Sequence, residues 1–326
     1  MSRIVIIGVG RSGTTALYHN LRTCFGILGE TPALHYEPYL WHAEPPAPEP
    51  DFDSTGSLSP LGIAAHCGEP LFSTSAQHEI TALFLRSLEA GGGPALLKFI
   101  RACGRMQILL DAWPDARVVF IFRNPASVVN SVLRLFSFFG DEFHPTDTDR
   151  FCQETGLSKP EFLAEAYAVR QLLYWRHMNA AALETARANP ARVLPISQEA
   201  LAADPATTMR AVCSFCFGPD DRDRLSGAFA DDAGARSVPR SFRSLAIADR
   251  AAFDPHLDWY LDDLLPACRS GSRIDPDGLR TAISAAWEES RPGLAQRLRP
   301  KSRPDIPVRS ANPLALRRML PWWRKR

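Results

Sequence analysis

Apolar residues run without interruption through "IVII" at 4–7, and a short glycine-rich turn separates them from "TTALYHNLRTCF", where the apolar positions adopt a helical period. An unbroken β-branched run over residues 3–8 predicts a strand buried on both faces. Three more runs of this kind follow: "ALLKFI" (95–100), "RVVFIF" (117–122) and "RVLPIS" (192–197). Between them the period returns to that of a helix. "MQILLDAWPDA" supplies a helix and a turn. "NPASVVNSVLRLF" begins with Asn124 as N-cap and Pro125 in the first helical position. One long helix is expected over 161–188, stopped by Asn189-Pro190, and another in "DPATTMRAVCSFCF". All-apolar strands alternating with helices predict an α/β fold, a parallel sheet flanked by helices on both faces.

Two polar, proline-rich stretches break this alternation, residues 43–60 and 140–160. Loops of such length in a compact domain are usually functional or disordered. The chain is accordingly read as one domain over 1–290 with long loops, followed by a basic tail over 291–326. The tail carries eleven Lys/Arg against the single acid Asp305 and ends "NPLALRRMLPWWRKR". Basic residues beside Trp322 and Trp323 suit a peripheral contact with anionic membrane through 309–326. Pro313 and Pro321 leave little helix for that purpose, and a solvated tail is the plainer reading.

Composition narrows the picture further. At 326 residues, 45% hydrophobic and 22% charged, the chain is ordinary for a globular protein. A net charge of +1 gives no global argument for nucleic acid. Seven scattered cysteines point to a reduced compartment, and Cys213 and Cys216, within "AVCSFCFG", read as core residues. The amino-terminus lacks the features of a signal peptide and no apolar run is long enough for a span, so the cytoplasm is the expected address. No His/Cys/carboxylate group has metal-ligand spacing, and no metal is expected.

The turn after the first strand, "GVGRSGTTAL", fits two phosphate-binding patterns. Gly8, Gly10 and Gly13 spell G-x-G-x-x-G, with Glu30 placed to hold a ribose, as in a nicotinamide or flavin oxidoreductase. Gly8 and Gly13 also have P-loop spacing, with Ser12 before the last glycine and the hydroxyls of Thr14 and Thr15 after it. The Walker lysine is absent, since Thr14 stands in its place, and Arg11 brings a cation into the loop from another angle. A second element favours the P-loop reading. "RVVFIFRNPASVVNSVLRLF" puts Arg123 at the C-terminal end of a strand, the edge where open α/β sheets bind ligands, and Ser131 about two turns into the next helix. Together they suit a second phosphate.

With two phosphate sites on one nucleotide, the chain resembles the sulfotransferase family. "GRSGTT" (10–15) is similar to its 5′-phosphosulfate loop, and "FIFRNPASVVNS" (120–131) to its 3′-phosphate motif. "LPISQEALAADPATTMRAVCSFCFG" (194–218) is similar to a weaker third stretch, so that residues 1–220 carry the series in order. "HYEPYLWHA" (35–43) and "LKFIR" (97–101) resemble segments of the carbohydrate 6-O-sulfotransferases of bacterial type. The usual Arg-Asp-Pro-Arg is here Arg123-Asn124-Pro125-Ala126.

The resemblance implies a P-loop-type sheet and transfer of a sulfuryl group from 3′-phosphoadenosine 5′-phosphosulfate (PAPS) to a hydroxyl of a glycan or glycolipid. It implies PAPS binding by Gly10, Arg11, Ser12, Gly13, Thr14, Thr15, Arg123 and Ser131, with Arg11 and Lys98 meeting the charge that builds during transfer. Glu37 is the expected base, pairing with Arg101 or Lys98 being its alternative. His35, His42, Arg240 and Arg243 are weaker candidates for acceptor or nucleotide contact. The oxidoreductase and a non-catalytic nucleotide-binding module remain the competing classes.

Overall fold

The computed structural model describes residues 3–29, 34–36, 85, 96–100, 102–136, 151–152, 155–218 and 250–297. The chain divides into two units, residues 1–290 and 291–326, and the architecture below is that of the first.

In chain order the strands are β1 (Ile4–Ile7), β2 (Leu34–Tyr36), β3 (Leu96–Lys98), β4 (Arg117–Phe122) and β5 (Val193–Ser197). The helices are α1 (Thr14–Leu28), α2 (Met106–Ala112), α3 (Pro125–Phe136), α4 (Lys159–Ala164), α5 (Tyr167–Ala188), α6 (Gln198–Ala203), α7 (Pro205–Phe217), α8 (Arg250–Trp259) and α9 (Pro276–Arg297). All strand pairs are parallel, in the order β2-β3-β1-β4-β5. The expected α/β sheet is therefore present, with β1 at its centre and β2, which the apolar pattern did not predict, at one edge.

Strand side chains alternate between two cores, as a pleat requires. Val5, Ile7, Val118, Phe120 and Phe122 join one core with residues of α2, α3, α5, α8 and α9. Ile4, Ile6, Val119, Ile121, Leu194 and Ile196 join the other with α1 and α7. Both faces are thus covered, and this accounts for strands that are apolar at nearly every position. Cys213 and Cys216 are buried core residues, and Cys24 Sγ lies 3.5 Å from Cys213 Sγ.

At the edge strand β5, Pro195 costs no ladder bond. Arg269 closes that edge: its backbone N–H donates to Pro195 O at 2.9 Å, and its guanidinium donates to Val193 O.

Element bounds follow local chemistry. Asn124 Oδ1 accepts from Ser127 N–H at 2.8 Å, which caps α3 as expected. Asp204 caps α7 through Thr207 N–H in the same way. The expected continuous helix over 161–188 is instead two. Glu165 and Ala166 are extended, at ψ 149° and 141°, which separates α4 from α5. The break lets Phe162 of α4 pack on Phe151 at 4.9 Å while α5 lays Leu172, Trp175 and Met178 on the sheet. Asn189 ends α5 where the sequence places its stop.

Candidate active site

The β1–α1 turn shows which glycines the backbone demands. A Cβ on Gly8 would lie 2.3 Å from the carbonyl oxygen of Ile121, so glycine is needed where β1 passes β4. Gly13 has φ +95°, and a Cβ there would lie 1.8 Å from Gln198 Oε1. Gly10 is unconstrained, the nearest atom to an added Cβ being 4.0 Å away. The demanding pair thus has the G-x-x-x-x-G spacing, not that of the dinucleotide fingerprint.

α1 begins immediately after Gly13 with no side-chain cap and no acid in its first turn. A helix start without a side-chain cap, with the positive end of the helix dipole behind it, suits an anion. Ser12 is fully buried, and its Oγ has no hydrogen-bond partner among the described residues. Arg11 has φ 74°, the one positive φ outside glycine among the described residues. That left-handed backbone is costly for a long side chain, and such strain concentrates at functional sites.

Three cations from three elements converge on this turn. Lys98, the last residue of β3 and only 2% exposed, donates from Nζ to Thr15 Oγ1 at 2.9 Å. Arg11 Nε donates to Ser131 Oγ at 2.8 Å, so the turn reaches a residue on α3. Arg123, at the C-terminal end of β4, directs Nη1 to the Arg11 carbonyl at 3.5 Å. Burial pulls the Arg123 guanidinium below its ordinary range; the charge of Glu199 opposes that shift and Arg11 adds to it.

The topology places these groups together. α1 leaves β1 toward one face of the sheet and α3 leaves β4 toward the other. The C-terminal edge between β1 and β4 is therefore a switch point, where open α/β sheets bind ligands. Arg11, Ser12, Gly13, Thr14, Thr15, Lys98, Arg123 and Ser131 all lie there, and Gly10 precedes them in the turn. Glu30, Glu37, His42, Arg101, Arg240 and Arg243 lie outside the described residues, as do residues 43–60 and 298–326.

The residues behind the site were not foreseen individually. Glu199 and Gln198 fall within "LPISQEAL", a stretch whose likeness to the third family motif assigned them no role. Tyr260, which bonds Glu199, and Trp175, which bonds the Arg123 carbonyl, give no local signal, because these contacts arise only from the packing of α5 and of the turn that follows α8.

Fold and site together define an α/β protein with a P-loop-like turn and a second cationic turn beside it. The chain matches the family described as "Sulfotransferase family" over residues 3–221, about two thirds of its length, and it belongs to that family. It is thus a transferase, and the oxidoreductase reading of the glycines falls away. Among solved structures it is similar to sulfotransferase STF9 from Mycobacterium avium, at 16% identity and a TM-score of 0.47, over 83% of this chain and 78% of that one. It is also similar to a sulfotransferase from Alicyclobacillus acidocaldarius, at 20% identity and a TM-score of 0.37, over 79% and 93% of the two chains. No curated protein matches it significantly.

Proposed function

We propose that the protein moves a sulfuryl group from PAPS to a hydroxyl of a carbohydrate or glycolipid. The observation that supports this reading best is the Arg11–Ser131 hydrogen bond, which joins the two segments expected to hold the two phosphate ends of one nucleotide. The donor set suits that group: an uncapped helix start, a buried hydroxyl on Ser12, and two arginines and a lysine around them. Residues 10–15 would hold the 5′-phosphosulfate end, and Arg123 with Ser131 the 3′-phosphate. Once bound, PAPS supplies a sulfuryl group activated by its phosphate leaving group.

The chain's own residues then have distinct tasks. Lys98, fixed by Thr15, holds a positive charge beside the first turn of α1, where it opposes negative charge that grows during transfer. Arg11 does the same from the turn itself. Tyr36 pairs with Lys98 across β2 and β3. Glu37, the next residue in sequence, lies outside the described residues and is our candidate for the base that takes the acceptor hydroxyl's proton. A carbohydrate acceptor rests on the likeness of "HYEPYLWHA" and "LKFIR" to the 6-O-sulfotransferases.

Among the described residues no helix is long and apolar enough to cross a membrane. We place the reaction in the cytoplasm, with 309–326 as a contact for anionic lipid.

Transfer of labelled sulfate from PAPS across a panel of glycans and glycolipids tests the proposal. Incorporation into a hydroxyl of one acceptor class is expected. Glu37→Gln should lower it by about 10²–10⁴-fold and leave nucleotide binding in place. Absence of transfer to any hydroxyl on the panel would contradict it.

A further inference from the structure

One buried carboxylate is bonded to the turn that carries Arg123. Glu199, the second residue of α6, is 2% exposed. Its Oε1 accepts from the Asn124 backbone N–H at 3.1 Å and from Asn124 Nδ2 at 2.6 Å. Its Oε2 accepts from the Tyr260 hydroxyl at 2.7 Å. On the other side of the same peptide group, Trp175 Nε1 donates to the Arg123 carbonyl at 3.2 Å. Both polar atoms of the peptide joining Arg123 to Asn124 are therefore held, and with them the direction in which the Arg123 side chain leaves the backbone.

A buried carboxylate is expensive unless its oxygens are satisfied, and here three donors satisfy them. Glutamine in its place would keep one oxygen for Asn124 and turn its amide toward the Tyr260 hydroxyl, which can accept, but it would lose the charge that strengthens all three bonds. The neighbouring residue extends the arrangement, because Gln198 packs against Gly13 of the phosphate loop. The short corner between β5 and α6 thus touches both turns at once.

We infer that Glu199 is a positioning residue: by fixing the Arg123–Asn124 peptide it sets Arg123 for the second phosphate and gives the site its preference for a nucleotide that carries one. This rests on the reading of Arg123 and Ser131 as a phosphate site. Glu199 touches no substrate in this account. It acts through Asn124 and the backbone.

Calorimetric titration of the whole chain with adenosine 3′,5′-bisphosphate and with adenosine 5′-monophosphate tests the inference. The wild type should prefer the bisphosphate. Glu199→Ala should cut that preference by about tenfold or more, the scale of hydrogen bonds to a charged group, with monophosphate affinity nearly unchanged. Glu199→Gln keeps the shape and one acceptor, and should cut it by a smaller factor of about threefold. Loss of a negative charge alone would raise affinity for a second phosphate, so the sign of the change separates positioning from bulk electrostatics. If Glu199→Ala does not fold, Glu199→Gln decides alone. A preference that survives intact or rises in Glu199→Gln overturns the role of Glu199 only, as does an equal loss for both nucleotides. A wild type with no preference overturns the two-phosphate reading together with it.

Discussion

Arg11 Nε and Ser131 Oγ meet at 2.8 Å although 120 positions separate them in the chain. One belongs to the turn after the central strand, the other to the helix that follows β4 on the opposite face. Their contact joins the two turns, and it sits at the strand ends where the strand order reverses. The strained backbone of Arg11 has a physical counterpart in this bond, since the left-handed turn at φ 74° is what a long side chain in that loop has to accommodate.

Arg123→Ala should weaken binding of adenosine 3′,5′-bisphosphate by about 10- to 100-fold, the scale of hydrogen bonds to a charged group. Arg123 is half-buried at a strand end and not part of either core, so the unfolding midpoint should hold. Titration calorimetry beside thermal melting checks both halves.

Lys98→Met keeps the apolar stem in its buried strand position and removes the ammonium that Thr15 receives. Transfer should slow by about 10²–10³-fold, as for loss of one preorganised charge-stabilising donor. The loss should appear mainly in kcat, measured under saturating donor and acceptor.

Gly8→Ala forces a Cβ to within 2.3 Å of a backbone oxygen of β4, which no side-chain movement relieves. The overpacking should cost about 1–3 kcal/mol. Gly10→Ala, with no atom nearer than 4.0 Å, should cost far less. Urea unfolding of the two variants side by side measures the contrast.

Acid should destabilise the fold through His256. Burial, with the charge of Arg176 adding to it, lowers its pKa to about 4, and its Nδ1 is buried with no partner among the described residues. Unfolded, the residue titrates near its ordinary value of about 6.5. Between these two values only the unfolded chain binds the proton, so stability present above about pH 6.5 is lost as pH falls toward 4. The loss should reach on the order of 2–3 kcal/mol by about pH 4.5. Replacing His256 by Gln should flatten this part of the stability–pH curve, as measured by urea unfolding across that range.

The parts of the fold legible in the sequence are those where local pattern and tertiary need coincide. β1 and β4 are apolar at nearly every position because both their faces are covered, and α3 announces itself through Asn124 and Pro125. The apolar pattern does not mark β2, because it has three residues, too few for a period to register. The break between α4 and α5 was missed for a different reason: nothing in Glu165-Ala166 forbids a helix, and the interruption serves the packing of Phe162 on Phe151. At the site, glycine spacing and a strand end singled out Arg11, Arg123 and Ser131, and the structure brings these three together. Glu199 and Tyr260 were not singled out, because a carboxylate that bonds a backbone amide from another element leaves no periodic trace. The identity of the acceptor within the carbohydrate class suggested by 35–43 and 97–101 was illegible, since the loops expected to contact it carry no repeating pattern.

The central claim is that the turn at 10–15 and the Arg123–Ser131 segment form one clamp for a nucleotide with two separated phosphate ends. Thermal melting of the wild type with adenosine 3′,5′-bisphosphate, adenosine 5′-monophosphate and NAD(H) tests it most directly, because a ligand bound only by the native state raises the midpoint in proportion to its affinity. The bisphosphate should give the largest upward shift, the monophosphate a smaller one and NAD(H) none. Stabilisation by NAD(H) with no response to the bisphosphate would contradict the account.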